Sequence, residues 1–391
     1  MEHTILYLGI LTAPFLGLAS EGQGRMTPPE PRLCRDLSET SDRLSVHAYV
    51  FTSEDYDHAA GELCGWCWQN GEWVRQLVPL PDIVYDRTFF HSKRERLRCE
   101  AALSAIHARK AHRRMNGSLP SKPVVYDRLA EDTRLARHIP PTIRYAPERL
   151  KPFLASHGGS AIIKPAAGMQ GRGVILIRQG LWNDALSIKG RTRSNRPFER
   201  ILPNLAELSD RLSRFMGDSP FLIQPYLQLR DREGRPYDIR ALIQKDGSGK
   251  WRITGEAARI GRSGSLTSNL HGGGEVMDSF ALLSANFGKP MAERLIREIH
   301  TISGHTAIRL EHGFGRFGEL AMDFGIESDG SIWLLEVNSK PGREAFRQTG
   351  PDTVYAMSIE RPIRYARYLK DRLSPTFTAS ESAYDLFQPQ R

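Results

Sequence analysis

Two carboxylates and one amide near the end of the sequence have the chemistry of a cation site. Asp323, Glu336 and Asn338 can offer three oxygen ligands, and Asn338 follows Glu336 by two residues, on the same face of a strand. Oxygen ligands suit Mg²⁺, which takes a few carboxylates together with substrate phosphates. We therefore predict that these residues bind magnesium. The alternative is a solvent-exposed strand face with mismatched charges.

A β-hairpin would bring the two carboxylates together. The segment ELAMDFGIESDGSIWLLEVN has Asp-Gly at 329–330, a strong signal for a two-residue hairpin turn. With that turn Ser328 pairs with Ser331, and Asp323 lies directly opposite Glu336. Facing carboxylates repel each other unless one is protonated or a cation lies between them. Apolar residues alternate along the second strand and predict a buried hairpin, which favours the metal site over an exposed face.

A glycine-rich loop between two apolar strands is the candidate phosphate site. In IIKPAAGMQGRGVILI, Lys164 ends the first strand, and Gly168, Gly171 and Gly173 precede the second. Backbone amides of such a loop can hold phosphate oxygens, and a lysine adds a point charge. The segment is not a Walker A motif, because the lysine precedes the glycines and strands flank the loop. A plain tight hairpin is the alternative.

The segment FLIQPYLQL is the candidate adenine site. Its apolar strand is interrupted at Gln224, and Tyr226 and Leu227 follow. A joint of this kind can present backbone amide and carbonyl groups to the edge of a base, between apolar walls. A simple hinge between domains is the alternative.

Charged residues on a second predicted hairpin are candidates for contact with an anion. Arg240, in DIR, and Arg259, in ARIGR, lie on neighbouring strands and can converge on a γ-phosphate or a carboxylate. Asn269 belongs to a second amide-rich loop, SNLHGGG. Asp238 and Arg343, in SKPGR, are the candidate substrate contacts.

The elements that must position these residues indicate an α+β protein. Strands and a helix in residues 1–120 predict a small N-terminal α/β domain, and residues 121–372 form a second unit with a small subdomain at about 150–220. The polar segment 373–391 reads as a tail.

The basic charge is concentrated in one segment. The chain carries a formal net charge of +9, and residues 93–114 hold eight Lys or Arg against two Glu. Apolar residues at helical spacing within this segment predict a basic helix. A solvated helix face and an anion-binding surface are the two interpretations. Binding of nucleic acid is disfavoured, because aromatic residues do not alternate with the basic ones.

Composition excludes several protein classes. Four cysteines are too few for a disulfide scaffold and favour a reducing compartment, so we expect a cytoplasmic protein. Cys64 and Cys67 form a single CxxC without a second half, and the Asn-Gly that follows predicts a hairpin there instead of a metal or redox site. The apolar N-terminus lacks the basic start of a signal peptide, and no segment reaches the ~20 apolar residues of a membrane span.

Taken in order, these segments resemble the ATP-grasp superfamily, and more narrowly its YheC/YheD-type group associated with endospore coats. The resemblance runs from about residue 5 to 370, and the ordered set of motifs is more specific than any one of them. The motifs that carry it are YLGILT, GELCGWCWQNGEWVRQLVPLPDIVYDR, IPPT, IIKPAAGMQGRGVILI, LIQPYL, DIRALIQ, ARIGRSG, TSNLHGGG, LAMDFGI and IWLLEVNSKPGR.

The resemblance implies an ATP-grasp fold, in which ATP lies between two α+β subdomains. It implies that Lys164 contacts the phosphates under the 168–173 loop, and that Gln224, Tyr226 and Leu227 line the adenine. Magnesium is then held by Asp323, Glu336 and Asn338, while Arg240, Arg259 and Asn269 face the γ-phosphate or an acyl phosphate.

The activity implied is that of an ATP- and Mg²⁺-dependent ligase, which activates a small-molecule or peptide carboxylate as an acyl phosphate for attack by an amine or thiol. A nucleotide-binding coat or assembly protein without turnover is the alternative, and the group also implies association with a spore coat. The sequence departs from the family pattern at two contacts. Arg128 or Arg134 stands in place of a second phosphate-binding lysine, and Asp231 is the substitute for a ribose-binding glutamate.

Overall fold

The computed structural model describes most of the chain, and its strands form three β-sheets within the described ranges. Those ranges are residues 5–14, 27–90, 92–166, 172–180, 185–268, 273–349 and 352–372.

The first sheet lies between helices on both faces. Its strands are β1 (Leu6–Leu11), β2 (Val46–Phe51), β3 (Tyr56–Asp57), β4 (Glu62–Gln69), β5 (Glu72–Val78), β6 (Ile83–Asp86) and β7 (Arg113–Arg114). Their order is β3-β4-β2-β1-β6-β7, with β5 paired to β4. The parallel strands β1, β2 and β6 are apolar runs, as strands covered on both faces are. Helix α1 (Pro31–Arg43) covers one face and α2 (Lys93–Arg109) the other.

Two sequence predictions are confirmed in this sheet. Residues 93–109 of the basic segment form α2, whose N-cap Ser92 accepts a hydrogen bond from the backbone of Glu95 at 3.1 Å, while Arg113 and Arg114 at the end of the segment form β7. The two cysteines of CxxC lie unpaired in β4 of the predicted hairpin. Asn70 and Gly71 form its turn, with φ of 51° and 83°, the left-handed values that a tight hairpin turn requires.

The second sheet is the small subdomain that carries Lys164. Its six antiparallel strands are β8 (Ile143–Arg144), β9 (Ser160–Pro165), β10 (Ile175–Gln179), β11 (Leu186–Arg191), β12 (Pro197–Leu202) and β13 (Phe221–Pro225), in the order β12-β11-β10-β9-β13-β8. Helices α3 (Lys122–Ala130) and α4 (Thr133–Ala136) precede this sheet in the chain. Helices α5 (Pro147–Ser156) and α6 (Leu205–Met216) bury their apolar faces against it.

The third sheet carries the remaining candidate residues. Its strands are β14 (Tyr237–Lys245), β15 (Trp251–Ile260), β16 (Glu275–Met277), β17 (Glu319–Ile326) and β18 (Ile332–Asn338), in the order β16-β15-β14-β17-β18. Helices α7 (Ser279–Phe287) and α8 (Lys289–Phe314) pack on one face and build the largest core. The short helix α9 (Glu344–Thr349) covers only part of the other face.

The last described helix, α10 (Asp352–Asp371), joins the first and third sheets. Ile359, Ile363 and Leu369 share one apolar cluster with Leu6 and Leu8 of β1. The core beside the N-terminal sheet is therefore completed by residues from the other end of the chain. In the described part of the chain, no helix has the length and the apolar composition needed to cross a membrane.

Candidate functional site

One face of the third sheet is divided into an apolar half and a polar half. The apolar half packs against Ala345 and Phe346 of α9 through Leu242, Ala257 and Ala321. The polar half lies beyond that contact, on the same face. Its members are Asp238, Arg240, Arg259, Asp323, Glu336 and Asn338, and we call them the polar face.

Strand register explains why these residues meet. Arg240 pairs with Asp323, which pairs in turn with Glu336, so one row crosses β14, β17 and β18. Asp238 pairs with Arg259 one step along the sheet. Paired residues on antiparallel strands point to the same side of a sheet, so the polar face follows from backbone pairing.

Asp323 is held by two arginines. Nε and Nη2 of Arg240 each lie 2.8 Å from one carboxylate oxygen, and Nη2 of Arg259 lies 2.9 Å from Oδ2. Nε of Arg259 also donates to Asp238 at 2.6 Å. Burial by itself raises the pKa of Asp323, but Arg240 and Arg259 outweigh it and hold that pKa well below its usual range. Asp323 is therefore an ionised carboxylate surrounded by cations.

The hairpin turn is longer than predicted, yet the predicted carboxylate pair is present. The Glu327 amide donates to Ser331 at 3.0 Å, so three residues form the loop and Ser328 does not pair with Ser331. A bulge at Leu335 inserts one extra residue in β18 and shifts the register. Asp323 consequently lies opposite Glu336, because the longer loop and the bulge compensate for each other.

The ligands predicted for magnesium share one face, and their chemistry fits that ion. Asp323 and Glu336 are direct partners, and Asn338 is paired with Ala321 on the same side. The described residues hold no cluster of three His, Cys, Asp or Glu side chains that could bind a metal, so a third protein ligand here would be the Asn338 amide oxygen. Two carboxylates and an amide are hard oxygen donors, as Mg²⁺ requires.

Lys164 approaches the polar face from the second sheet. Its Nζ donates to the hydroxyl of Tyr126 at 3.0 Å, and that hydroxyl donates to the carbonyl oxygen of Leu335, the bulge residue, at 2.6 Å. Burial lowers the pKa of Lys164 to about 8, and the negative charge of Glu336 opposes that effect. A phosphate placed beside an ammonium group that has lost hydration in this way stabilises its positive charge.

The joint between the second and third sheets contains the residues predicted to line adenine. Gln224 is buried at the end of β13 and donates to the Thr142 hydroxyl at 2.6 Å. The Arg178 guanidinium lies 4.9 Å from the centre of the Tyr226 ring, and Leu227 follows half-buried. These contacts place the joint beside the small subdomain.

Three of the predicted glycine-loop and amide-loop residues, Gly168, Gly171 and Asn269, lie outside the described residues. Gly173 is described and has a φ of 74°. A Cβ atom there would lie 3.0 Å from Cγ of Pro165, so glycine allows the chain to pass close to the end of β9.

Comparison with known proteins decides the family. A family model for YheC/D-like ATP-grasp proteins matches residues 112–369, which include every described residue of the polar face. This chain belongs to the YheC/D-like ATP-grasp family. It is similar to two Bacillus subtilis (strain 168) relatives, the endospore coat-associated proteins YheC and YheD. YheC is 28% identical over 77% of this chain and 81% of its own length. YheD is 28% identical over 95% of this chain and 81% of its own length.

Solved structures show the same fold. The D-cycloserine synthetase DcsG superposes with a TM-score of 0.54 at 15% identity, over 94% of this chain and all of that one. The ATP-grasp ligase PsnB, in a complex with a minimal precursor, Mg and ADP, gives a TM-score of 0.50 at 14% identity, over 92% and 98% of the two chains. The predicted α+β ATP-grasp fold is confirmed.

A lysine that the sequence prediction missed lies beside the polar face. Nζ of Lys122, at the start of α3, lies 3.2 Å from Oε1 of Glu336. The residues predicted instead are engaged elsewhere, since Arg128 pairs with Glu131 and Arg134 pairs with Asp132. Lys122 is therefore the better candidate for the second phosphate-binding lysine. Its position before Pro123 in a turn-rich segment gave no sign of a partner more than two hundred residues away.

Two other residues that were predicted as contacts form bonds within the protein. The Asp231 carboxylate, the predicted ribose contact, accepts hydrogen bonds from Glu233 and Arg235 of its own loop. Arg343, a predicted substrate contact, is buried and pairs with the fully buried Glu319. These positions favour structural roles for Asp231 and Arg343 over the predicted contacts.

Proposed function

We propose that this chain is an ATP- and Mg²⁺-dependent ligase that joins a carboxylate to an amine or a thiol through an acyl phosphate. The observation that carries the proposal is the meeting of Lys164, Lys122 and the polar face, which places cations from two subdomains around two carboxylates. The complex of PsnB with Mg and ADP supports the choice of cofactors.

The residues divide the work between phosphate binding and charge stabilisation. Lys164 and Lys122 supply point charges for the phosphates of ATP. Arg240 and Arg259 now hold both oxygens of Asp323. When Asp323 serves as a metal ligand, these guanidinium groups become available to the transferring phosphoryl group and to the substrate carboxylate. Magnesium bound by Asp323, Glu336 and Asn338 would neutralise charge on the phosphoryl oxygens.

The proposed reaction has two steps. A substrate carboxylate oxygen forms a bond to the γ-phosphorus of ATP, and the bond from that phosphorus to the departing ADP oxygen breaks. The nucleophile, an amine nitrogen or a thiolate, then attacks the acyl carbon, and inorganic phosphate leaves with the electrons of the C–O bond. A proton is lost to solvent from the attacking amine. Arginines placed over the phosphoryl oxygens stabilise the first transition state most.

The test is release of ADP and phosphate from ATP across a panel of amino acids and acidic peptides. Asp323→Asn and Glu336→Gln should each lower turnover about 10²-fold or more, because each removes a charge that the transition state requires. Glu207→Gln, an exposed carboxylate on α6, is the matched control and should keep full activity. Failure of the unaltered protein to bind nucleotide and Mg²⁺ would contradict the proposal.

A second candidate function has support in the names of the relatives. YheC and YheD are endospore coat-associated proteins, so this chain could bind nucleotide as part of a coat assembly without turnover. The presence of both carboxylates, Asn338 and the four surrounding cations at one site favours the enzyme. ATP that binds but stays intact with every acceptor tested would favour the assembly role.

A further inference from the structure

The outward side of α2 carries a dense patch of positive charge. Lys93, Arg94, Arg96 and Arg98 are exposed, and Leu97 among them is 56% exposed. We call these five residues the basic surface. Cys99, Leu103 and other apolar residues on the opposite side pack into the core, so the helix is held in place independently of the patch.

The charges of the basic surface lack carboxylate partners in the part of the chain that the structure describes. Among the described residues, none of its four cations forms an ion pair with a carboxylate. The nearby Glu100 is engaged by Arg114. A solvated cation without an internal partner is available to an external anion, and four of them within two helical turns reinforce one another.

The basic surface starts beside the loop that leaves the polar face. Lys340 follows Asn338 by two residues, and its Nζ donates to the carbonyl oxygen of Thr88 at 2.7 Å. The same Nζ lies 5.9 Å from the centre of the Phe90 ring, and Ser92, the N-cap of α2, follows Phe90 by two residues. Asn338 and Lys340 are two residues apart, as are Phe90 and Ser92, so the backbone spans at most about 7 Å within each of these pairs. An extended ligand can therefore contact both the basic surface and the polar face.

We propose that the basic surface docks an acidic polypeptide, one of whose carboxylates is the group that the ligase activates. This inference rests on the proposed function. Lys93 to Arg98 span about 7.5 Å along the helix axis, close to the ~7 Å between same-side residues of an extended peptide. Glutamates two residues apart can thus face the cations, and an apolar residue of the peptide can cover Leu97.

A polypeptide fits better than the other polyanions. The adjoining site needs a carboxylate, which nucleic acids lack, and α2 presents no exposed Phe, Tyr or Trp side chain for stacking on bases. An anionic membrane surface would match the charges, yet it offers no carboxylate on a chain that reaches the polar face.

The probe is a fluorescein-labelled peptide with glutamates on both sides of one leucine. Fluorescence anisotropy measures its binding to the full chain in the presence of Mg²⁺ and a non-hydrolysable ATP analogue. Arg94→Glu/Arg98→Glu should weaken binding about tenfold or more at low salt, because charge complementarity is reversed. The control variant is Arg149→Glu/Lys151→Glu on α5, which makes the same change in net charge at exposed residues that lack ion pairs in the described chain. Its affinity for the peptide should stay within about twofold of that of the unaltered protein. Arg94→Gln/Arg98→Gln should give an intermediate loss.

The outcomes separate this inference from the proposed function. An all-glutamine peptide should bind far more weakly, and thermal unfolding monitored by circular dichroism should show that the variants remain folded. Equal binding to the charge-reversal variant, absence of peptide binding, or a response seen only with duplex DNA or anionic vesicles would overturn the docking role. If the ATP analogue binds while the peptide does not, only this inference fails; if neither binds, the proposed function fails too.

Discussion

Nζ of Lys122 lies 3.2 Å from Oε1 of Glu336, which joins the first turn of α3 to the last strand of the third sheet. Lys122 and Glu336 are each partly exposed, at 23% and 30% of their side chains. Both side chains keep contact with solvent, so this pair exchanges partners at a lower cost than a fully buried ion pair does. Lys122 can therefore turn to a phosphate when Glu336 acquires a metal ion.

Replacement of Lys122 by methionine should weaken binding of a Mg²⁺–ATP analogue about tenfold or more, because one positive charge is lost beside the phosphates. Isothermal titration calorimetry measures the effect. Lys151→Met, an exposed lysine on α5, is the control and should bind like the unaltered protein. Equal affinity of the two variants would contradict the phosphate role of Lys122.

Tyr126→Phe should separate a structural effect from a functional one. The hydroxyl accepts from Lys164 and donates to the Leu335 carbonyl, so its removal takes one hydrogen bond from each of these groups. We expect the free energy of unfolding to fall by about 1–2 kcal/mol and nucleotide affinity to decrease.

The control for Tyr126 is Tyr237→Phe, which also removes a hydroxyl that donates to a buried carbonyl, that of Ile326, at 3.0 Å. Urea unfolding should show a similar loss for both variants, and calorimetry should show weaker nucleotide binding for Tyr126→Phe alone. Unchanged nucleotide binding in both would mean that Tyr126 does not position Lys164.

Nucleotide binding should depend on pH through Lys164. Burial lowers its pKa to about 8, so the free protein loses this charge as the pH rises through 8. A phosphate favours the charged lysine, and affinity should fall above pH 8 while the lysine contributes little pH dependence below it. Titrations of the unaltered protein and of Lys164→Met with nucleotide between pH 7 and 9.5 test this. The variant should bind nucleotide more weakly, with an affinity that does not change with pH.

The lowered pKa of Lys164 also determines whether the free energy of unfolding rises or falls with pH. In the unfolded chain Lys164 keeps its proton up to its ordinary pKa of 10.5, so between pH 8 and 10.5 the unfolded state binds more protons. The contribution of Lys164 to the free energy of unfolding should therefore increase with pH in that window. Lys164→Met should remove this increase from pH-dependent urea unfolding curves.

Arg343→Gln should test whether Arg343 serves the fold or the substrate. Glu319 is fully buried between Arg343 and Arg87, and the loss of one partner of a buried ion pair costs about 3–5 kcal/mol. Arg347→Gln, which breaks an exposed pair with Glu344, should cost less than about 1 kcal/mol. A stable Arg343→Gln variant with a raised KM would restore the substrate role.

Local patterns of hydrophobicity and turn chemistry were sufficient for the Asn70-Gly71 turn and for α2. The Asp323–Glu336 pair was predicted from a two-residue turn, and it is present because two unpredicted features, the longer loop and the bulge, compensate for each other. The three-residue loop and the bulge at Leu335 did not follow, because an Asp-Gly pair is compatible with several loop lengths and a bulge has no fixed sequence signature.

Contacts distant in sequence were beyond prediction from local patterns. Lys122 with Glu336, Glu319 with Arg87 and Arg343, and α10 against β1 all depend on how the sheets pack. A charged side chain carries no local mark of its partner, so Arg343 was predicted as a substrate contact although its charge is used inside the protein.

We propose that Mg²⁺ and ATP meet at the polar face. Isothermal titration calorimetry of a non-hydrolysable ATP analogue, with and without Mg²⁺, tests it most directly in the unaltered protein and in Asp323→Asn/Glu336→Gln. We predict binding that Mg²⁺ strengthens in the unaltered protein, and loss of that Mg²⁺ effect in the double variant. Binding that is indifferent to Mg²⁺, or a Mg²⁺ effect that survives both substitutions, would contradict the account.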